Sequence, residues 1–300
     1  MQRMLDAHPD LAVIHETHWI PRFYEERIGL TPGGMVTMEL IAKLLDDRRF
    51  GKLGIGREDL EGLIPPDGPI SYADYVTRIF DLYGEARGNQ SVGEKTPSYV
   101  RNLLTLHGLW PTARFVHLIR DGRDVFLSMI NWKRANRAVG RFAAWTRDPV
   151  SASAFWWKWH VRLGREAAGW LGQDLYREVR YEALVTDPAG ECAKLCTFLG
   201  LPYADTMLEF HEGRTKTKPG LDAKRAWRPI TRGLRDWRSE MSTEDLERFE
   251  AAAGDLLDEL GYERAFLNPG PQVLEQASEI RDSLAREMQS QPDYPLPEHL

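Results

Sequence analysis

The apolar positions of this chain change period along its length, and the change divides it into two kinds of element. Short continuous runs rich in β-formers occur at residues 11–15, at Phe115, Val116, Leu118 and Ile119, and at 176–181. Runs of that kind predict strands of a parallel sheet covered on both faces. A fourth strand is expected at 91–94. Between them apolar residues recur at helical spacing, which predicts helices over 1–8, 72–83, 98–109 and 151–171. Strands alternating with helices predict an α/β fold whose parallel strands are joined by right-handed crossovers. The carboxyl third is helical: Leu246, Phe249, Ala253, Leu256, Leu257 and Leu260 share one face, with Ser242 as cap and Gly261 as stop. Helices and Gly/Pro loops at 20–68 read as an insertion, and 289–300, with three prolines, is expected to fray. The expected organisation is one α/β domain over 1–265 carrying that insertion, followed by a helix and tail at 266–300.

Candidate chemistry concentrates first at RFVHLIRDGRDVFLS, residues 114–128. The strand ends at Arg120, Gly122 permits a turn, and Asp121 or Asp124 can cap a helix that carries Val125, Phe126, Met129, Ile130 and Ser128. In an open α/β sheet, ligands bind beyond the carboxyl ends of the strands. A guanidinium fork, a hydroxyl and helix-terminal amides together suit a phosphate there. The same segment also reads as a surface strand, turn and helix whose arginine pairs with a neighbouring aspartate.

Three further stretches decide how that segment is taken: GEKTP at 93–97, VRYEALVTDP at 179–188 and MLDAHPDLAVIHETHWIPRF at 4–23. Together with RDGRDVFLSM from Arg120, the ordered set resembles the sulfotransferases that use 3′-phosphoadenosine-5′-phosphosulfate (PAPS), in particular their tyrosylprotein branch. WRPI and LRDW, between Trp227 and Trp237, are a looser match. The resemblance implies a P-loop-NTPase-like three-layer fold with a central parallel sheet. It implies transfer of a sulfuryl group from PAPS to a hydroxyl on a small molecule, carbohydrate or peptide, leaving 3′,5′-adenosine bisphosphate. Arg120 and Ser128, eight residues apart, would hold the 3′-phosphate. Lys95 would stand near the transferred group and Tyr181 would touch the adenine. Glu16 would take the acceptor's proton, with His15 or His18 as rival bases. Such a glutamate is expected in a partly buried setting that raises its pKa toward neutrality. Arg225 and Arg228 are candidates for a basic loop closing on the nucleotide, and the scheme requires no metal.

One departure stands beside these matches. Family members begin with a strand and a PRSGTT-like phosphosulfate loop, and neither this loop nor a GxxxxGK loop followed by Ser or Thr occurs in these 300 residues. Met1 is therefore expected inside the loop's helix, the first strand of the sheet is expected to be missing, and the adjoining strands are expected to show unpaired edges. This chain as written would then be inactive or nearly so, since one lost transition-state donor typically costs about 10²–10³ in rate. A non-catalytic protein that keeps the 3′-phosphoadenosine pocket is the alternative. A different nucleotide-dependent transferase is disfavoured by the lack of a Walker loop.

Composition narrows the rest. With 42% hydrophobic residues and a formal charge of −6, the chain has ample core and no general electrostatic reason to bind nucleic acid. The distribution is uneven: residues 214–238 hold nine Lys or Arg against two Asp, and 239–300 hold fifteen Asp or Glu against four Arg. The basic stretch could close over an anionic cofactor. Cys192 and Cys196 share a helical face with Leu195 and Leu199, which points to core packing and a reducing, cytoplasmic setting. No signal pattern or long apolar span supports export or membrane insertion. Trp156, Trp157 and Trp159 read as packing or as an acceptor pocket. Gly54 and Gly56 alone are weak support for dinucleotide binding. Neither the acceptor nor the oligomeric state follows from these residues.

Overall fold

The computed structural model describes residues 1–66, 68–131, 139–212, 229–231 and 235–291. It is an α/β protein, mostly helical, with four short strands among the described residues: β1 (Leu11–His15), β2 (Ser91–Lys95), β3 (Phe115–Ile119) and β4 (Tyr176–Arg180). The strands form two two-stranded sheets, β1 with β2 and β3 with β4, where the sequence predicts one central sheet. The chain divides into two compact units, one comprising Met1–Phe115 and Thr186–Ile230, the other Val116–Val185 and Thr231–Leu300.

In the first unit β1 and β2 run parallel, with Ile14 opposite Glu94 and His15 opposite Lys95. The Tyr72–Glu85 helix packs against both strands. Its start is fixed by Ser71, whose hydroxyl accepts the N–H of Asp74. Its inward face, Tyr72, Tyr75, Val76 and Ile79, is fully buried among Trp19, Leu40, Ile41, Leu44, Phe50 and Leu60. The 20–68 insertion thus supplies half of a core rather than an appendage. In the loop between helices Trp19–Glu25 and Met38–Asp46, Gly29 (φ 65°) lies against Leu40, and a Cβ there would overlap the Leu40 nitrogen. The helix expected over 98–109 splits into a 3₁₀ turn, Pro97–Asn102, and an α-helix, Leu103–Leu109. Asn102, at φ −116° and ψ 20°, leaves helical geometry between them. Cys192 and Cys196 are free and buried on the Pro188–Leu199 helix, capped by Asp187 and ended by Gly200 at φ 72°, as their spacing predicts.

In the second unit the Pro149–Leu171 helix, capped by Asp148, packs against helices Gly122–Ile130, Thr243–Glu259 and Pro271–Gln289. Trp157 and Trp159 are buried in the core between them, which favours the packing reading of the tryptophan cluster. Asp121, not Asp124, caps the Gly122–Ile130 helix through the N–H of Arg123. Gly122 serves a different purpose from the turn expected of it. Its φ is not positive, but a Cβ there would meet Trp157 at 2.5 Å and Phe249 at 2.8 Å. Close approach of two rings, not backbone freedom, requires glycine at this position.

Gly122→Ala is therefore expected to destabilise the protein by about 1–3 kcal/mol through overpacking. Gly169→Ala, on the same unit's Pro149–Leu171 helix with no atom within 4 Å of the added carbon, is expected to stabilise by roughly 0.5–1 kcal/mol. Urea unfolding of the two variants beside the parent checks both signs.

Candidate active site

The last ladder bond of β1, from the Glu16 N–H to the Lys95 carbonyl at 2.8 Å, delivers the chain to a turn of unusual geometry. Glu16 and His18 both have positive φ, 49° and 56°, a conformation that costs a non-glycine residue about 1–3 kcal/mol. In a continued strand Glu16 would face away from His15, because side chains alternate between faces. The left-handed turn instead brings the Glu16 carboxylate to Lys95, on the strand position paired with His15: Lys95 Nζ donates to Glu16 Oε1 at 2.8 Å and lies 3.5 Å from His15 Nε2. His18 Nε2 is 3.9 Å from Glu16 Oε2, and Arg49 Nη1 donates to the Glu16 carbonyl at 3.4 Å. The structure thus collects Glu16, Lys95 and both rival histidines in one place.

The electrostatics depart from the expected tuning. Burial alone would raise the Glu16 pKa, but the hydrogen bond and charge of Lys95, with His15 and Arg49 adding to it, bring it below the ordinary glutamate value. Glu16 is held as a carboxylate by its neighbour instead of being poised near neutrality.

Between the two strained residues sits Thr17, 2% exposed. Its N–H and its hydroxyl both donate to Glu94 Oε1 at 3.0 Å, and its hydroxyl also meets the Tyr99 hydroxyl. Thr96 donates to the same Glu94 oxygen. Thr17, Glu94, Tyr99 and Arg49 were not legible as site residues. The available signal was strand alternation, which places Glu94 on the face opposite Lys95, turned inward.

The second unit holds the other candidates. Arg120 follows β3 and donates through Nη2 and Nε to Asp124 Oδ2 at 2.9 and 3.3 Å. The pairing with a neighbouring aspartate that the sequence allowed is therefore present. Burial raises the Asp124 pKa, and Arg120 offsets only part of that rise. Asp124 also accepts the N–H of Trp237 at 3.1 Å, and Trp157 Nε1 donates to the Arg120 carbonyl at 3.1 Å. The Arg120 guanidinium lies 4.3 Å from the centroid of Tyr181, the first residue of the Tyr181–Thr186 helix, a cation–π contact. Ser128 is half-buried further along the Gly122–Ile130 helix. Arg225 and Arg228 lie outside the described residues. Among the described residues no group of three or more His, Cys, Asp or Glu could hold a metal ion, and no helix is long and apolar enough to cross a membrane.

The fold defined by these elements is that of sulfotransferase domains. The sulfotransferase domain of the Synechococcus PCC 7002 olefin synthase matches 87% of this chain and 89% of its own length, at a TM-score of 0.58 and 21% identity. The sulfotransferase domain from the curacin biosynthetic pathway covers 99% of this chain and 93% of its own, at 0.52 and 18%. A sulfotransferase family model matches residues 1–205, and the chain belongs to that family. Among its relatives are protein-tyrosine sulfotransferase 1 of Danio rerio, 25% identical over 310 residues with 99% of this chain and 77% of that protein covered, and protein-tyrosine sulfotransferase of Drosophila melanogaster, 25% identical with 90% and 50% covered. The reaction class is sulfuryl transfer to a hydroxyl acceptor.

The Lys95–Glu16 contact sets a measurable expectation. In Lys95→Met the burial remains and the compensating cation is gone, so the Glu16 titration, followed by carboxyl ¹³C NMR, moves from below the ordinary glutamate value of about 4.3 to above it. An unmoved titration would mean that Lys95 does not govern it.

Proposed function

We propose that this chain transfers a sulfuryl group from PAPS to the hydroxyl of an acceptor, a tyrosyl side chain of a peptide being the acceptor its relatives' names favour. The observation that carries the reading is the 2.8 Å pairing of Lys95 Nζ with Glu16 Oε1, a cation and a proton acceptor held on one spot by two strained residues. The donor set fits the cofactor in part: a guanidinium against an aromatic ring suits a phosphate beside a base, and an ammonium suits a sulfonate. Arg120 and Ser128 would hold the 3′-phosphate, Tyr181 the adenine and Lys95 the sulfonate. PAPS, when bound, supplies a sulfuryl group already activated on a phosphate leaving group. Glu16 takes the acceptor's proton at its carboxylate, and Lys95 Nζ keeps positive charge where negative charge gathers. Resting Lys95 is neutralised by Glu16, so the pair enters the reaction with neither group left unpaired beforehand.

Two measurements test the reading. Calorimetric titration with 3′,5′-adenosine bisphosphate is expected to show saturable binding that Arg120→Ala weakens about tenfold or more, the loss of one charge-assisted phosphate contact. ATP, lacking the 3′-phosphate, is expected to bind no better to the parent than to the variant. Binding without turnover would favour the non-catalytic nucleotide-binding alternative, and no binding by the folded protein would remove the cofactor assignment. The acid limb of kcat/KM is expected below the ordinary glutamate range, because Lys95 lowers the Glu16 pKa and Glu16 stays ionised as pH falls toward it. A histidine base would in general put that limb near about 6.5.

A further inference from the structure

We infer that Glu94 is a positioning residue, whose carboxylate ties Thr17 to β2 and so holds the Glu16 carboxylate at Lys95. The inference rests on the reading of Glu16 and Lys95 as the reacting pair. Its ground is the backbone. Glu16 leaves β1 at φ 49°, His18 enters the Trp19–Glu25 helix at φ 56°, and Thr17 is the single residue between them. A turn with left-handed residues on both sides has no reason of its own to persist, since each of them relaxes downhill if released.

Besides the backbone bonds at Glu16, its N–H to the Lys95 carbonyl and its carbonyl from Arg49 Nη1, what opposes release converges on Thr17. Its N–H and hydroxyl both end on Glu94 Oε1 at 3.0 Å. Its hydroxyl also meets Tyr99, whose own oxygen accepts the N–H of Ile20 at 3.3 Å in the first turn of the helix that His18 begins. Glu94 and Lys95 are neighbours on β2 and point to opposite faces. One strand residue therefore grips the turn from below while the next meets the side chain that the turn delivers above. Thr96, donating to the same oxygen, orients the carboxylate. Burial pushes the Glu94 pKa up in spite of these three donors, so the carboxylate is held at some expense to the fold. A chain needing only to fill this space could do so with an apolar side chain.

The contacts distinguish what Glu94 does from what Tyr99 does. Tyr99 is 8% exposed in the core of the first unit and fixes the helix, whereas Glu94 is the β2 side chain that holds Thr17, the middle of the turn, while the Glu16 N–H bond to the Lys95 carbonyl holds its start. Loss of Glu94 should free Glu16 to swing from Lys95 while leaving β1, β2 and their ladder paired. A merely structural role would lower stability without touching Glu16.

The test compares Glu94→Leu, Glu94→Gln and Thr17→Val in the full chain by carboxyl ¹³C titration of Glu16, with Glu16→Gln to assign the signal and kcat and KM measured beside it. In Glu94→Leu the Glu16 titration is expected to rise, as the Lys95 contact loosens while burial persists. Its kcat is expected to fall about ten- to a hundredfold, the usual effect of a misplacement near 1 Å, with the KM for PAPS within about twofold. Glu94→Gln keeps an oxygen acceptor for Thr17 and is expected to stay close to the parent. Thr17→Val, which loses one of the two Thr17 donors, is expected to move the titration in the same direction by less. If Glu94→Leu does not fold, Thr17→Val carries the test. A parent-like Glu16 titration in whichever of the two folds overturns the inference. Full turnover by Glu16→Gln together with a shifted titration in Glu94→Leu would instead overturn the base assignment and leave Glu94's positioning role in place.

Discussion

A guanidinium with 1% of its surface exposed can persist only if every part of its charge is met, and Arg123 organises the second unit by that requirement. Asp121 accepts from its Nε at 3.0 Å and its Nη2 at 2.8 Å, Glu250 accepts from Nη1 at 2.6 Å, and the Trp237 ring covers it at 3.6 Å. Glu250 accepts in addition the N–H groups of Ala265 and Phe266, and Asp121 caps the helix to which Arg123 belongs. One cation thus joins the start of the Gly122–Ile130 helix, the Thr243–Glu259 helix and the turn that follows it. Arg120 stands three residues before Arg123, its carbonyl pinned by Trp157 and its guanidinium paired with Asp124, so the backbone that carries it is fixed beside this network.

The first unit solves a comparable problem with less charge. Its turn is held by hydroxyls and one buried carboxylate, and the strain it contains lies in two backbone dihedrals as well as in that desolvated group. The difference follows from what each unit must present. A strand-to-helix turn such as Asp121–Gly122 aims the preceding side chain with ordinary backbone angles. A side chain that must return to the face of its neighbour in the strand, as Glu16 does, requires the alternation to be broken.

What the sequence disclosed and what it hid have the same source. The strands at Leu11–His15 and Phe115–Ile119, the caps at Asp187 and Ser242, and the stops at Gly200 and Gly261 all depend on residues close in the chain, and periodicity and cap chemistry find them. Glu16, Lys95, Arg120 and Tyr181 came from ordered motifs, and the structure joins them in pairs. The Thr17–Glu94 tie spans 77 residues, and the Arg123–Glu250 bond 127, so no local pattern announces either. The lowered Glu16 pKa was hidden for the same reason: its expected rise considered burial, and the cation that reverses it lies on another strand. The single sheet became two pairs of strands, and the Gly122 turn proved to be a steric contact.

The two principal cations, Lys95 and Arg120, each already hold a carboxylate, at 2.8 and 2.9 Å. An anion that engages either one competes with Glu16 or Asp124 for the cation's N–H donors, so its arrival is a competition between counter-ions and not the filling of a bare positive site. That competition lets the carboxylate reclaim its partner as the ligand departs, which shortens residence. It also moderates the salt dependence of binding, because the resting cation gathers few ions from solution that a ligand would then release. A chain with a net charge of −6 in this way keeps positive groups available to anions at these two places, each beside its own carboxylate.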